Sequence, residues 1–158
     1  MQIKNERIGT IFLWCAVLIW TLLLFYFSSQ NADDSAFISM KVTGSLLDIL
    51  SFLPFDAEQI HNLVRKIAHF CFFGLEGFLL GLAMMRSLPK RQMGIAPAVL
   101  ACAVLAGLNE YSQMFAEGRS CELRDVFIDL AGALVGIMAG ALLLYILEQR
   151  RRKNVIIS

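Results

Sequence analysis

The chain has 158 residues, of which 58% are hydrophobic and 17% charged, with mean hydropathy +0.64 and a formal net charge of +1. This composition is far more apolar than a soluble domain carries, and the charge balance offers no electrostatic footprint for nucleic acid. An all-α integral membrane protein is expected, with residues 1–158 forming one domain.

The first apolar block, Ile8 to Phe27, has no charged residue and matches the roughly 20 helical residues that a bilayer core requires. A secretory signal peptide is the rival reading. The apolar core is long, however, and it ends in Phe25-Tyr26-Phe27 without a clear small-residue cleavage site, so a retained span is expected. Ser28, Ser29 and Gln30 follow it. Between Phe37 and Leu53 apolar residues recur at helical spacing among Lys41, Thr43, Ser45 and Asp48, which predicts an amphipathic helix on the outer surface. That helix either covers the bundle or gates a site beneath it. Pro54 ends it, and Asp56 is a suitable N-cap for the next helix.

Blocks over 63–85, 94–115 and 124–147 predict three further spans, completing a four-helix membrane bundle. The connection from Arg86 to Met93 is short and contains Pro89, so spans two and three form an antiparallel hairpin. The connection from Ala116 to Arg124 is also short, making spans three and four neighbours. Lys4, Arg7, Arg86, Lys90, Arg91 and the run Arg150-Arg151-Arg152-Lys153 all fall on one side of this layout. Because cytoplasmic flanks carry the excess of Lys and Arg, both termini are expected in the cytoplasm. Cys15, Cys71 and Cys102 fall inside spans and read as small buried apolar residues, while Cys121 lies outside with no evident partner.

Ionisable residues inside spans are the informative ones. On a helix of about 100° per residue counted from Arg65, His69 falls at about 40° and Glu76 at about 20°, one narrow stripe. His69 lies ~6 Å below Arg65 along the axis and Glu76 ~10 Å deeper, while Lys66 can snorkel to the surface. Span three brings Asn109, Glu110 and Gln113 to the same depth as Arg65. Span four begins there with Arg124, Asp125 and, one turn on, Asp129, and Arg119 stands in the loop between. Gly132, Gly136 and Gly140 share the face of the two aspartates and allow a close helix approach. Gly77 and Gly81 form a second small-residue ridge, rotated roughly 100° to 140° from the polar stripe, so span two is expected to pack on one side and present charge on another.

A charged side chain at a helix centre costs roughly 2.5 to 3.5 kcal/mol even on the gentler insertion scale, so each must be paired, protonated or wet. One reading is structural: Arg119, Arg65 and Lys66 neutralise Glu110, Asp125 and Asp129 and only fix the bundle. The other is an outward-facing polar pocket. Glu76 reads as a structural acid, a proton-relay member, or the deep end of such a pocket. No metal or other cofactor is expected, since His69 and Glu76 are too far apart on one helix and His61 reads as an exposed residue near a helix start. Cys71 has only aromatic and apolar neighbours in sequence, against a nucleophilic role.

Several motifs together resemble the VanZ-like membrane proteins. They are Arg65-Lys66-Ile67-Ala68-His69-Phe70, then Glu110-x-x-Gln113-x-Phe115, then Gly118-Arg119-x5-Asp125-x3-Asp129-x2-Gly132, with Phe27-Ser28-Ser29-Gln30 leaving the first span. The likeness covers nearly the whole chain. Two positions depart from the family pattern: Asn109 stands where Asp is frequent, and Asp129 where Asn is frequent. The resemblance implies a multi-pass protein of the bacterial cytoplasmic membrane, in a family named for a member linked to resistance to the glycopeptide antibiotic teicoplanin. A phosphotransbutyrylase label sometimes attached to the family finds no support here, as no acyl-CoA motif or soluble catalytic domain is visible.

Three functional readings follow. The first is a membrane enzyme acting on a lipid-linked envelope molecule at the outer leaflet. In it His69, Glu110 and Asp129 are the acid/base candidates, His69 because histidine titrates closest to working pH. Arg65, Lys66 and Arg119 would hold a phosphate or carboxylate, and Asp125, Gln113, Ser28, Ser29 and Gln30 would orient the ligand. The second is a lipid or antibiotic binding protein that uses the same groups without turnover. The third is a transporter with Glu76 as proton carrier, although four spans without an internal repeat make a poor complete path.

Overall fold

A computed structural model describes residues 2–29, 57–115 and 121–157. These form four α-helices, α1 (Gln2–Ser28), α2 (Ala57–Ser87), α3 (Ile95–Gln113) and α4 (Leu123–Ile157), with a 3-10 turn at Arg91–Gly94 and no strand among the described residues. Four helical stretches are long and apolar enough to cross a membrane: Arg7–Ser28, Asn62–Ser87, Arg91–Gln113, which joins the 3-10 turn to α3, and Leu123–Arg150. Helix is the form such sequences must take in lipid, because every backbone group is then satisfied within its own segment. The expected outer amphipathic helix, the Asp56 cap, Gln30 and Arg119 all lie outside the described residues.

Large apolar side chains point outward along the helices, among them Phe12, Leu18, Leu22, Leu100, Val104, Phe127, Met138 and Leu142. In water such a surface would aggregate; around a membrane bundle it is the lipid-facing coat. The core beneath it is built from Val17, Leu24, Phe73, Leu80, Ala83, Ala98, Cys102, Ala106, Ala133 and Ile137. Of the three cysteines expected to be buried within spans, only Cys102 is; Cys15 and Cys71 sit on outward faces, where a small apolar side chain costs nothing in lipid.

The tightest seam joins α2 to α4. A Cβ added at Gly77 would overlap the Ala133 backbone, one at Gly132 the Phe70 carbonyl, and one at Gly136 the Gly74 carbonyl. These two helices therefore meet backbone to backbone, which only glycine permits. They run parallel, since Arg65 meets Asp125, His69 meets Asp129 and Gly81 meets Ile137 as both chains proceed.

That pairing corrects one expectation. The polar stripe and the small-residue ridge of α2 do not serve different sides: Arg65, His69, Gly77 and Gly81 all face α4. Residues four apart drift by about 40° per step around the axis, and helices packing along such rows follow the drift. Two groups that a fixed wheel separates thus occupy one seam, polar at one end and glycine-lined below.

The other contacts are lighter. Trp20 on α1 donates its indole N–H to the Phe72 carbonyl at 3.1 Å and stacks on the Phe72 ring, with centroids 5.3 Å apart. Gly94 sits against the Met84–Met85 backbone, so the 3-10 turn folds closely onto the end of α2 before α3 begins. Pro97 falls in the first turn of α3, where its missing N–H leaves no helical bond unmade.

Candidate functional site

At the end of the bundle where α1 and α3 finish and α4 starts, polar side chains from all four helices turn inward. Asp125 and Asp129, on α4, are 1% and 0% exposed. Glu110, Gln113 and Asn109, on the last turns of α3, are each 1% exposed. From α2 come Arg65 and His69, and from α1 comes Ser28.

The pairings are specific. Arg65 forms a charge-assisted hydrogen bond with Asp125 through its Nη2. His69 Nδ1 lies 3.0 Å from Asp129 Oδ1. The Glu122 backbone N–H, just ahead of α4, donates to Glu110 Oε2 at 3.2 Å. Gln113 Nε2 donates to Ser28 Oγ at 2.9 Å, closing α3 onto α1. The N-terminal turn of α4 supports this concentration of acids, since unpaired N–H groups and the helix dipole favour negative charge there.

Acceptors nevertheless outnumber donors. Glu110 Oε1, Asp125 Oδ1, Asp129 Oδ2 and Asn109 Oδ1 are buried with no hydrogen-bond partner among the described residues. Arg65 is already engaged with Asp125, and its next acid, Glu122, stands at 4.0 Å. Buried polar atoms in folded proteins are nearly always satisfied, so these four oxygens mark room for further donors or positive charge beyond the described residues. The structural reading also calls on Arg119, which lies outside the described residues.

The structure therefore brings together Arg65, His69, Glu110, Gln113, Asp125, Asp129 and Ser28, all expected at the site. Ser29 is not among them: it is exposed and its hydroxyl donates to the Tyr26 carbonyl at 2.9 Å, a local bond that serine readily makes near a helix end. Lys66 is half-buried and forms no ion pair among the described residues. Glu122 was not foreseen; it works through its backbone N–H, which leaves no signature in the residue pattern.

Spacing along α2 alone offers no metal-ligand set, whereas the fold brings potential donors together from three helices. Ligand atoms of His69, Glu110 and Asp129 all lie within 4.8 Å of one another. Glu76 is apart from this group. Fully buried deeper in α2, it faces the Thr21 hydroxyl of α1, which lies 3.0 Å from Glu76 Oε1 and 2.9 Å from the Val17 carbonyl.

The opposite end of the bundle has a different character. Arg91 reaches Glu148 Oε2 at 2.8 Å and the Leu144 carbonyl at 3.2 Å, and Arg152 reaches Glu148 Oε1 at 2.9 Å. Trp14 donates to Ser87 Oγ at 3.0 Å, and the Arg86 guanidinium lies over Gly9. The side chains of Trp14, Arg86, Ser87, Arg91, Glu148 and Arg152 are all at least partly exposed.

Neither a curated protein nor a solved structure matches the chain. A family model described as VanZ/LLP1 matches residues 12–150, a stretch that takes in the last three spans and most of the first. The chain is accordingly a multi-pass membrane protein that belongs to the VanZ/LLP1 family.

Proposed function

We propose that the polar end of the bundle is an extracytoplasmic site that binds a lipid-linked molecule of the bacterial cell envelope and modifies it. The observation that carries this reading is the convergence of Arg65, His69, Glu110, Asp125 and Asp129 from three helices into one buried cluster with unsatisfied carboxylate oxygens. Orientation comes from the sequence: Arg86, Arg91 and Arg150 to Lys153 cluster at the other end, which the positive-inside rule assigns to the cytoplasm together with both termini. The polar site then opens toward the outer leaflet, where lipid-linked precursors with phosphate or sugar headgroups present their polar parts.

In this reading His69 and Glu110 or Asp129 move a proton, and Arg65 holds an anionic group on the ligand. Family membership adds glycopeptide susceptibility as a cellular consequence to examine, since altering an envelope precursor alters what such antibiotics recognise.

Purified full-length protein in nanodiscs, incubated with radiolabelled lipid-linked envelope precursors, tests the reading. A new labelled product that disappears in His69→Gln and Asp129→Asn supports it. Saturable binding with an unchanged product profile replaces the enzyme with the binding protein. Absence of both binding and turnover removes this site from envelope-lipid chemistry. Proton-coupled transport is the weaker reading, because Glu76 is held by Thr21 and lies ~10 Å below His69, with the buried Phe73 on the intervening turn.

A further inference from the structure

We infer that His69, Glu110 and Asp129 bind a first-row divalent transition cation, of the Zn²⁺ or Mn²⁺ kind, at the outer end of the bundle. The inference goes beyond the envelope-lipid reading and stands whether or not a lipid binds.

Three independent features of the cluster lead to it. The first is spacing. Donors around a cation with ligand distances of ~2.1 Å sit about 3.0 to 3.4 Å from their neighbours. His69 Nδ1 and Asp129 Oδ1 are already 3.0 Å apart, and one ligand atom from each of His69, Glu110 and Asp129 lies within 4.8 Å of the other two. The His69–Asp129 hydrogen bond and a shared cation are thus alternatives at the same separation, and a turn of the Glu110 carboxylate completes the third bond.

The second feature is the imbalance of charge and hydrogen bonding. Glu110 and Asp129 are almost wholly buried, and each keeps one oxygen without a hydrogen-bond partner among the described residues. Among the described residues the guanidinium at this end, Arg65, is bound to Asp125. A dication neutralises two buried carboxylates at once, and the Glu110 oxygen that no described donor reaches is available to it.

The third is the chemistry of the donors. Two carboxylates and one imidazole form a mixed oxygen and nitrogen set. Mg²⁺ and Ca²⁺ prefer oxygen alone, whereas an imidazole nitrogen favours Zn²⁺ and its first-row neighbours, with Mn²⁺ also suited to carboxylates. Three protein ligands leave at least one coordination position open, the arrangement of reactive rather than purely structural metal centres. The ligands are also held from behind. Glu110 receives the Glu122 N–H through its other oxygen, and Asp129 sits one turn from Asp125, which Arg65 anchors to α2.

The test uses the full-length chain, purified without a metal-binding tag, stripped with EDTA and reconstituted in nanodiscs free of envelope precursors. It is titrated with Zn²⁺ and Mn²⁺, with Mg²⁺ and Ca²⁺ as controls. Expected is saturable uptake of about one Zn²⁺ or Mn²⁺ per chain, with far weaker response to Mg²⁺ and Ca²⁺. Glu110→Gln and Asp129→Asn, which keep side-chain shape, are expected to weaken uptake by roughly 100-fold or more, as is His69→Gln. Glu148→Gln, at the other end of the bundle, leaves uptake unchanged.

Because a variant can fail to assemble, the wild-type chain supplies a separate readout. Co²⁺ added to the stripped protein should give visible absorption of a nitrogen and oxygen site, and Zn²⁺ should abolish it. Uptake equal in wild type and the three ligand variants, or wild-type chain that gives no saturable binding and no Co²⁺ bands, overturns the inference. In that case ordered water fills the orphaned positions, and the envelope-lipid reading is judged on its own binding assay.

Discussion

The two ends of this bundle use the same vocabulary of arginine and carboxylate for different ends. At one, Arg91 and Arg152 meet Glu148 on side chains that are 40% exposed or more. At the other, Arg65 and His69 meet aspartates that are 1% and 0% exposed. Exposed pairs are screened and spend side-chain entropy, so they contribute little to stability. Buried ones have paid desolvation already, and removing one partner strands a charge. The contrast teaches that charge at the Arg91 end is hydrated and contributes little, whereas at the His69 end it is retained against a standing cost, as befits a site.

The seam beneath the buried end should be the most sensitive place in the molecule. Gly136→Val puts a branched side chain into the Gly74 carbonyl, and backbone cannot move aside as a side chain can. We expect a loss of at least about 3 kcal/mol, or failure to assemble, measured as thermal unfolding in detergent. Gly107→Ala, with nothing within 4 Å of the added Cβ, is the matched control and should be neutral or stabilising by up to about 1 kcal/mol. Equal effects at the two glycines would mean that α2 and α4 do not meet where the structure has them.

Next in size is Asp125→Ala, which leaves Arg65 against the buried end of α4. Breaking a fully buried pair costs roughly 3 to 5 kcal/mol, and the 29% exposure of the Arg65 side chain, with Glu122 in reach at 4.0 Å, lowers that to about 2. Asp125→Ala combined with Arg65→Met should recover most of the loss, because both charges then leave together. Failure to recover would show that Asp125 serves something besides Arg65.

How much of this was legible beforehand depends on which physical signal carries each feature. The four spans follow from uninterrupted hydropathy, and helix is forced on them by the bilayer, so Gln2–Ser28 and Leu123–Ile157 arise where the apolar blocks predict. Depth was legible too: counting rise per residue puts Arg65, His69, Glu110, Asp125 and Asp129 at one level, and there they meet. Rotation was not. A fixed wheel assigned Gly77 and Gly81 to a different side from His69, because the wheel has no knowledge of the crossing that turns successive i, i+4 residues toward one neighbour. Contacts made by backbone were invisible for a simpler reason: the Glu122 N–H that holds Glu110 would be present with almost any residue at that position. The juxtaposition of His69, Glu110 and Asp129 was not legible, because spacing along one helix says nothing about side chains supplied by three.

A smaller effect is expected from Thr21→Val, midway between the two ends. The hydroxyl faces Glu76 Oε1, whose companion Oε2 already has no partner, so its removal leaves the acid wholly without a protein hydrogen bond among the described residues. A loss of about 1 to 2 kcal/mol is expected. Glu76→Gln keeps an acceptor for Thr21 and should cost less than Thr21→Val. If the order is reversed, the ionisable character of Glu76 matters more than its hydrogen bond.

The smallest effect belongs to the exposed end, and it is the sharpest test of the comparison. Glu148 touches two guanidiniums, Arg91 and Arg152, so by a simple count of ion pairs it should matter more than Asp125, which touches one. Burial predicts the reverse ranking. Glu148→Gln keeps a hydrogen-bond acceptor for both arginines, and water or headgroups hydrate whatever charge is released, so the unfolding transition should not shift measurably at moderate salt. Raising the salt concentration should leave wild type and Glu148→Gln equally stable, while the gap between wild type and Asp125→Ala persists, because screening does not enter the buried end. A Glu148 variant that unfolds as early as Asp125→Ala would instead make the charges at both ends structural, and the case for a site at the His69 end would lose its energetic support.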